Sequence, residues 1–391
     1  MADYNIKDFN AIPDGKTLNT AAIQKAIDEC HATGGGRVVC GGGCYMTGGL
    51  MLKSNVEFHL EHGCRLLGSG DLADYTDLTA PGFINNADKT AEKSSRALIM
   101  AVGAENISVT GQGTIDGNGL CFYRQEDADP KGKLPKPSTQ RPRIVMFYGC
   151  RNVRFEDISC IDSSCWTFWL MKCGDVNIHR VKIRGNSKMR NIDGIDIDAC
   201  RNVLVSDCII ETEDDCIAVR SIQKMYDEPA VCENITVTNC VFRTECNGVR
   251  IGCPSDSVIR NCVFSNLVIE GTSGIAVQNP KRYLSEGSTG CADIHDISFS
   301  NIRVRCSRYP VEIYVEEGIS LKRISDFSFS NFTARSGGPI FVQGSSQTIV
   351  KKINFSNMQI ETSGKDACIC RNCEGIVFNA IEFSNTPAVN E

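Results

Sequence analysis

Two acidic stretches of this sequence carry the side chains best suited to chemistry. The first, ETEDDCIAVRS, spans residues 211 to 221 and places Asp214 and Asp215 side by side, directly before an apolar strand pattern. The second, NIDGIDIDAC, spans residues 191 to 200, and its Asp193 precedes Asp215 by 22 residues. Because successive side chains of a strand point to opposite faces, two adjacent aspartates share one surface only where the chain bends. The pattern predicts a turn that presents carboxylates at the mouth of a buried strand.

Carboxylates gathered in this way suit acid–base cleavage of a glycosidic bond. Neighbouring carboxylates repel each other, so one of them keeps a proton while another stays ionised. One acid then protonates the leaving oxygen and another activates water, and a separation of about 6.5 to 9.5 Å between them predicts inversion. Two other roles stay open, because aspartates also form turns and bind Ca²⁺. The candidate catalytic residues are Asp193, Asp214 and Asp215.

A short phrase that recurs through the chain predicts how these residues are held. Each copy is an alternation of β-branched and polar residues, a brief polar break and a second alternation. Copies begin at Asn106, Asn152, Asp175, Asn202, Asn234, Ser257, Asp296, Asp326, Lys352 and Gly375. The tightest intervals are 23 to 27 residues, which is typical of a solenoid. Helical periodicity is missing after about residue 35, so the pattern predicts an all-β, right-handed parallel β-helix with three strands per coil.

The repeat makes two positional predictions. Adjacent coils stack about 4.8 Å apart, so Asp193 is expected to lie over the Asp214–Asp215 pair, with all three carboxylates on one outer face. Asparagines at the starts of turns are expected to form hydrogen-bonded ladders between coils. These are Asn106, Asn152, Asn202 and Asn234.

The sequence predicts a single β-helix domain, residues 1–391, with an N-terminal cap and one long insertion. Within the capping segment, about residues 1–36, Asn19 or Thr20 can cap an α-helix that the glycines after Thr33 end. Its apolar stripe is Ala22, Ile23, Ala26 and Ile27. A solenoid must cover its open end, and this helix suits that task. The polar, Pro- and Lys-rich loop at about 125–142 is expected to form a wall of a binding cleft.

Composition excludes some classes of partner. The 391 residues carry a formal net charge of −6, with a pI near 5.6, which gives no basic field for nucleic acid. No stretch approaches the roughly 20 apolar residues of a membrane span. The start, MADYNIKDFN, lacks a secretory pattern, so we expect a cytoplasmic protein; a processed secreted form would read the same. The oligomeric state is not readable from the sequence.

Cysteine is unusually frequent, with 22 residues. Most sit inside apolar strand patterns, and Cys208, Cys240 and Cys262 are expected to face the core as small hydrophobic side chains. The cluster CICRNC has C-x-C-x-x-C spacing with no second ligand pair nearby, so reduced thiols are a simpler interpretation than a metal site. We expect no metal and no cofactor.

The acidic motifs also carry a family resemblance. N-x-D-G-I-D-I-D-x-C, followed about twenty residues later by D-D-C-I-A-V-R-S, resembles glycoside hydrolase family 28, the polygalacturonase family. The opening DFNAIPDGKTLNTAAIQKAID and the later GTIDGNG are similar to that family's cap and first coils. The resemblance implies a right-handed parallel β-helix and inverting hydrolysis without a metal. It implies that Asp214 is the general acid and that Asp193 and Asp215 activate water. Trp166 falls where the family has a tryptophan beside the sugar, and filling of the core is the alternative.

Two motifs depart from the family pattern. Asn247 stands where the family has a histidine that helps to set the acid's ionisation, and Arg250 replaces a small residue. The segment from Gly274 to Gln278 lacks the Arg and Lys that clamp a galacturonate, contacts worth roughly 1.5 to 3 kcal/mol each. Arg250 either binds a carboxylate in another orientation or neutralises the aspartates. The predicted substrate-binding residues are Asn247, Arg250, Arg220, Trp166, Gln278, Lys281 and Arg282.

These features together predict an inverting, exo-acting glycosidase for short pectin-related oligosaccharides or glycosides, with either a uronic-acid or a neutral sugar. Loops at 125–142 and 279–293 are expected to close the groove into a pocket. A lyase or epimerase on the same scaffold is one alternative, and calcium dependence would distinguish it. A non-catalytic carbohydrate-binding β-helix is another, since a fold does not fix a function.

Overall fold

The computed structural model describes residues 2–82, 94–284 and 290–385. The chain forms two compact units: the first comprises Met1–Asp196 and Cys200–Glu213, and the second comprises Ile197–Ala199 and Asp214–Glu391. Each unit is described by itself below, and the single-domain interpretation stays a prediction. No helix among the described residues is both long enough and apolar enough to cross a membrane.

Strands dominate the secondary structure, with one α-helix near the start. The strands are β1 (Asp3–Asn5), β2 (Asp14–Leu18), β3 (Gly36–Cys40), β4 (Gly43–Thr47), β5 (Leu50–Leu52), β6 (Val56–Leu60), β7 (Cys64–Gly68), β8 (Ala97–Val102), β9 (Glu105–Gly111), β10 (Thr114–Asp116), β11 (Arg143–Tyr148), β12 (Arg151–Glu156), β13 (Ser159–Ile161), β14 (Phe168–Met171), β15 (Gly174–His179), β16 (Lys182–Arg184), β17 (Ile195–Asp198), β18 (Arg201–Ser206), β19 (Ile209–Thr212), β20 (Ile217–Ser221), β21 (Val231–Thr244), β22 (Asn247–Ser255), β23 (Val258–Gly271), β24 (Ser273–Gln278), β25 (Asp293–Cys306), β26 (Val311–Tyr314), β27 (Arg323–Ser336), β28 (Ile340–Gln343), β29 (Val350–Thr362), β30 (Cys368–Arg371) and β31 (Cys373–Asn385). The helix is α1 (Thr20–Ala32), and the short 3-10 helices are Ile6–Phe9, Leu72–Asp74, Gly119–Phe122, Gln125–Asp127, Gln223–Met225 and Lys281–Tyr283.

Within each unit, the strands of the described residues pair in parallel, as stacked coils require. In the first unit, β5, β8, β11 and β14 form one ladder, and β9, β12, β15 and β18 belong to another. In the second unit, the even-numbered strands β20 to β30 form one ladder, and the odd-numbered strands β21 to β31 form the other. The fold is a right-handed parallel β-helix, which confirms the prediction from the repeat.

Asparagine ladders fix the turns between strands. Asn152 donates to Asn106, and Asn106 donates to Asn55, over 2.7 and 2.9 Å. The predicted ladder residues all have positive φ, which asparagine tolerates better than other non-glycine residues. Their φ values are 56° at Asn106, 50° at Asn152, 56° at Asn202 and 59° at Asn234. The ladder prediction is therefore confirmed, because each residue supplies both the turn conformation and a hydrogen bond between coils.

The ladder gives a test of the turn conformation. Asn106→Ala removes two hydrogen bonds and places a Cβ in the left-handed region, so we expect the free energy of unfolding to fall by about 2 kcal/mol. Asn106→Gly removes the same hydrogen bonds but adopts that conformation without strain, so we expect a loss of about 1 kcal/mol. Urea unfolding of the two variants measures the difference. Equal losses would show that the left-handed turn contributes nothing at this position.

Aromatic rings and thiols fill the interior of the coils. In the second unit, Phe264, Phe299, Phe329, Phe355 and Phe378 stack with successive ring centroids 4.9, 4.8, 5.0 and 5.1 Å apart. This spacing equals the distance between neighbouring strands, so each coil contributes one ring to the stack. The predicted core cysteines Cys208, Cys240 and Cys262 are each 1% exposed. These thiols act as small core residues, which confirms the interpretation made from the sequence.

Helix α1 covers the open edge of the first ladder. Its buried residues are Ile23, Ala26, Ile27 and Cys30. Gln24 donates to the backbone carbonyl of Met51 over 3.0 Å and accepts from its N–H over 2.8 Å, so its amide pairs the edge strand β5. The predicted capping function of the helix is consistent with these contacts. Asn19, one of the two predicted capping residues, occupies the N-cap position, but its side chain makes no cap hydrogen bond because its amide is bonded to Ile12 and Thr17 instead.

The loop at 125–142 packs against the segment that precedes Asp193. Leu134 joins a buried cluster with Tyr123, Met189 and Ile192. The backbone N–H of Leu134 donates to the carbonyl of Lys188 over 2.7 Å. The long insertion therefore braces residues 188–192 within the first unit. Part of the second predicted loop, residues 285–289, lies outside the described residues.

Candidate active site

In the second unit, Asp214 and Asp215 lie at the turn that enters β20. The backbone N–H of Asp215 donates to Asp214 Oδ1 over 3.1 Å, and the Thr244 hydroxyl donates to the backbone carbonyl of Asp214. The next residue, Cys216, continues the ladder through a bond from its N–H to the carbonyl of Asn247. The bend that the adjacent aspartates predict is therefore present. It leaves Asp214 half-buried and Asp215 1% exposed.

Both oxygens of the buried Asp215 carboxylate have polar partners. Asn247 Nδ2 donates to Oδ1 over 2.7 Å, and Arg250 Nη1 donates to Oδ2 over 3.3 Å. Asn247 begins β22 and Arg250 lies three residues later, so one strand supplies both donors. An ionised carboxylate buried to this degree requires such compensation. The structure thus brings together three of the predicted site residues.

Arg250 is held in a column of residues that face outward from successive coils. The register places Ala218, Arg250, Ala276 and Glu312 opposite one another on β20, β22, β24 and β26. The two alanines leave room for the guanidinium, whose Nη2 donates to Gln278 Oε1 over 3.3 Å. Gln278 Nε2 in turn donates to Glu312. Burial lowers the pKa of Arg250, but Asp215 and the neighbouring Cys253, Cys246 and Asp214 together outweigh it and raise that pKa well above its usual value.

Three further cationic residues of the second unit were predicted to line the groove. Lys281 and Arg282 are exposed on the short 3-10 helix after β24, and Arg282 stacks on Tyr283, 4.7 Å from the ring centroid. The Arg250 guanidinium lies 5.6 Å from the centroid of the same ring. Tyr283 therefore links Arg282 to Arg250. Arg220 is 4% exposed on β20.

Two residues beside this cluster were missed at the level of sequence. Cys246 lies within 4.8 Å of Asp214 and Asp215, measured between the atoms that could bind a metal, and Asn247 Nδ2 contacts its sulfur over 3.2 Å. Burial, with the two carboxylates adding to it, raises the pKa of the Cys246 thiol. Because Arg250 already places a cation against Asp215, we assign no metal to this group. Glu312 was the other omission, because the coil spacing changes from 26 residues between Arg250 and Ala276 to 36 residues between Ala276 and Glu312.

In the first unit, Asp193 is 2% exposed, and its backbone carbonyl accepts from the N–H of Thr167 over 2.9 Å. The preceding residue, Trp166, is 8% exposed. The Arg143 guanidinium lies 5.1 Å from the Trp166 ring centroid and 4.5 Å from that of Trp169. Little of the Trp166 indole is left for a ligand, so its substrate-binding role stays a prediction. Its packing matches the alternative that the residue fills the interior.

The residues just before Asp193 are fixed by polar contacts from the long insertion and its neighbours. The Tyr123 hydroxyl donates to the carbonyl of Arg190 over 2.8 Å, and Arg141 Nη1 donates to the same carbonyl over 3.1 Å. Arg190 itself pairs with Glu213 over 3.1 Å. Burial raises the pKa of Glu213, and the Arg190 guanidinium opposes that rise. These contacts position Asp193 within its own unit, and its stacking over the aspartate pair stays a prediction.

The buried Glu312 predicts a specific pH dependence of stability. Burial raises the pKa of Glu312 from its ordinary 4.5, so the folded chain holds this proton more readily than the unfolded chain. Stability from this group therefore falls as pH rises above 4.5 and through the folded pKa. Glu312→Gln keeps an acceptor for Gln278. We expect its free energy of unfolding to increase relative to that of wild type as the pH rises above 4.5. Urea unfolding between pH 4.5 and 8 measures the difference, with the exposed Glu270→Gln as control. A constant difference between variant and wild type would contradict this assignment.

Two adjacent carboxylates lie at the mouth of a parallel β-helix strand, one half-buried and the other held by an amide and a guanidinium. Such a pair defines a site suited to acid–base cleavage of glycosides. Residues 62–382 match Glycosyl hydrolases family 28. The chain belongs to this family, whose members are glycosidases.

Similar proteins agree with this family. An endo-polygalacturonase of Pectobacterium parmentieri is 25% identical over 354 residues, which cover 87% of this chain and 84% of that protein. An exo-poly-alpha-D-galacturonosidase of Dickeya chrysanthemi is 29% identical over 257 residues, 54% of this chain and 41% of that protein. The chain thus spans less than half the length of some curated relatives that it matches. A hyperthermoactive exopolygalacturonase of Thermotoga maritima has the same fold, with a TM-score of 0.77 and 22% identity, covering 97% of this chain and 92% of that chain.

Proposed function

We propose that this protein is an exo-acting, inverting glycosidase that releases a sugar without a carboxylate from short pectin-related oligosaccharides or glycosides. The observation that carries the proposal is the contact set of Arg250. Its two terminal nitrogens bond Asp215 and Gln278, and its side chain is 11% exposed. If Arg250 bound a substrate carboxylate through both terminal nitrogens, it would have to give up its hydrogen bond to Asp215, which compensates the buried carboxylate.

The neighbourhood of Arg250 supports a sugar of this kind. Ala276 and Gln278 occupy the segment in which the resemblance places basic clamp residues, and Gln278 donates to Glu312 rather than presenting a cation. The carboxylate of Glu312, beside Gln278, repels a uronate and accepts hydrogen bonds from neutral hydroxyls. The two exposed cations Lys281 and Arg282 are available to a uronide elsewhere in the substrate. The proposed substrate is therefore mixed, with a neutral sugar at the cleaved end.

Exo action is supported by relatives and by the loops. The Dickeya chrysanthemi relative and the Thermotoga maritima structure are both described as exo-acting on galacturonans. The insertion at 125–142 is anchored by the buried Leu134, which suits a fixed wall of a pocket. We expect each cleavage to release a single sugar from the end of the substrate.

Inversion needs a direct test. Asp214 and Asp215 each offer a carboxylate oxygen within 4.8 Å of the other, so the proposed acid and one proposed base lie side by side. Inversion rests on the family resemblance and on the proposed participation of Asp193. Proton NMR of the first product formed distinguishes the two anomers, and a retained anomer would reject this part of the proposal.

The substrate is tested by sugar release from matched oligosaccharides. Each pair carries the same chain with either a neutral sugar or a galacturonate at the non-reducing end, and the assay includes chelator and added Ca²⁺ arms. We expect release from the neutral member only, unchanged by either addition. Release from the galacturonate member alone would overturn the assignment of the sugar. Calcium-dependent formation of unsaturated products would indicate a lyase, and tight binding without any product would indicate a binding module.

A further inference from the structure

An arginine that the proposed mechanism leaves unused lies at the same turn as the candidate acid, three coils further on. Arg308 precedes β26 by three residues, as Asp214 precedes β20 by three. The register joins the first residues of these two strands through β22 and β24, in the order Ile217, Val249, Ile275 and Val311. Because neighbouring coils stack about 4.8 Å apart, Arg308 lies roughly 14 Å from Asp214 along the axis of the second unit.

Aromatic rings support the guanidinium of Arg308. It lies over the ring of Tyr309, 5.1 Å from the centroid. That ring in turn stacks on Phe341 of β28, with the centroids 5.2 Å apart and an angle of 27° between the planes. Gly338 leaves room for this stack, because a Cβ at its position would lie 3.2 Å from Tyr309 Cδ1. A guanidinium supported in this way loses less freedom when it binds a ligand.

Arg308 is exposed and forms no ion pair with any acidic residue that the structure describes. Burial raises the pKa of Glu312, and Arg308 is among the groups that oppose this rise, yet the Glu312 carboxylate accepts its hydrogen bond from Gln278. Arg250 differs, because it is 11% exposed and bonded to Asp215. Of these two arginines, Arg308 is therefore the one that can bind a carboxylate of a ligand without breaking an ion pair.

We propose that Arg308, supported by Tyr309, binds the carboxylate of a uronic acid unit in the part of the substrate that extends along the coils from the cleaved bond. This role rests on the proposed glycosidase activity and places the second sugar class of its mixed substrate. A guanidinium recognises a carboxylate through two parallel N–H donors. The separation from Asp214 leaves room for intervening sugar units, so the uronide at Arg308 is not the sugar that is released.

Equilibrium binding of two trisaccharides tests the role of Arg308 without turnover. Trigalacturonate carries a carboxylate on every sugar, whereas galactotriose with the same linkages carries none. Calorimetric titrations use the full chain with Asp214→Asn as the parent, so that cleavage does not affect the measurement. We expect Arg308→Gln to weaken the binding of trigalacturonate by at least about tenfold and that of galactotriose not at all. Arg308→Lys keeps the charge but loses the planar fork, so it should recover only part of the affinity.

The matched control is Arg303→Gln, which removes an exposed arginine of the same unit from β25, a strand of the other ladder. Its affinity for trigalacturonate should equal that of the parent. Equal losses in Arg303→Gln and Arg308→Gln would overturn the proposal, because they would reflect net charge alone. An equal loss for both trisaccharides in Arg308→Gln would also overturn it, as would a parent that binds trigalacturonate no better than galactotriose.

Kinetics separate this inference from the proposed function on which it rests. In the release assay, Arg308→Gln should raise KM for a substrate that contains uronide units, while kcat and the KM of a wholly neutral substrate stay unchanged. Turnover with unchanged KM and unchanged binding in Arg308→Gln would reject the role of Arg308 and leave the glycosidase in place. Binding that depends on Arg308 without turnover of any substrate would reject the glycosidase and leave the uronide site in place.

Discussion

Asp214→Asn leaves the chain folded and reduces turnover by about 10²- to 10⁴-fold, the usual contribution of a general acid. Asparagine has the same shape as aspartate and keeps the oxygen that accepts from the Asp215 N–H. The turn is held by backbone contacts, since Thr244 bonds the carbonyl rather than the side chain of Asp214. The variant loses the proton that the proposed mechanism transfers to the leaving oxygen. Rates are measured on the substrate found in the release assay, and folding is followed by circular dichroism.

The control for this experiment is Asp227→Asn, which makes the same replacement of a carboxylate by an amide at an exposed aspartate of the same unit. We expect its rate to equal that of wild type. Full activity in Asp214→Asn would remove Asp214 from the mechanism. A substrate whose leaving group needs no protonation, such as an activated aryl glycoside, should recover much of the lost rate. Failure of that recovery in a folded variant would point to a role other than proton donation.

Arg250→Met produces the largest expected loss of stability, about 3 to 5 kcal/mol, the cost of breaking a buried ion pair from one side. Methionine fills much of the space between Ala218 and Ala276, so the loss reflects charge rather than a cavity. Asp215 keeps only the bond from Asn247, with 1% of its surface exposed. The measurement is urea unfolding of the second unit, followed by a signal from Tyr283 or a neighbouring probe.

A double variant separates charge from packing. Asp215→Asn combined with Arg250→Met removes both charges, and we expect it to recover most of the stability that Arg250→Met alone loses. The exposed pair of Arg243 and Glu270, 3.9 Å apart, provides the surface comparison, where Arg243→Met should cost less than about 1 kcal/mol. If the double variant were as unstable as the single one, Arg250 would stabilise the column through its contacts rather than through Asp215.

Much of the fold follows from periodicity. The recurrence of β-branched alternations and turn asparagines predicts parallel coils, because each unit must bury its apolar face on its neighbour. The apolar stripe predicts helix α1, and its residues Ile23, Ala26 and Ile27 are buried as expected. The contact at its N-terminus could not be predicted. Asparagine is a preferred N-cap residue, but the amide of Asn19 forms hydrogen bonds with Ile12 and Thr17. Both partners precede the helix in the sequence, and the preference of asparagine for the N-cap position takes no account of them.

The site is predictable in its acids and less so in its surroundings. Asp214 and Asp215 are marked by their adjacency and by the strand that follows. Asn247 and Arg250 were singled out as departures from a motif, and contact with Asp215 explains both. Glu312 and Cys246 could not be placed, because loops between coils differ in length and obscure the register. Asp193, Trp166 and the other first-unit residues are located within their own unit, and their assembly into one site stays a prediction.

The inserted loop has a consequence for how readily this scaffold can change specificity. Thr114 of β10 pairs with Ser159 of β13, 45 residues later, whereas Ser159 pairs with Lys182 only 23 residues on. Doubling the length of a closed loop adds only about 0.6 kcal/mol of chain entropy. One coil can therefore carry a long excursion beside Asp193 almost without penalty, and its buried Leu134 recovers more than that by leaving water. Selection can therefore lengthen or change this insertion, and so reshape a binding pocket, with little loss of stability and without changing the register of the strands beneath it.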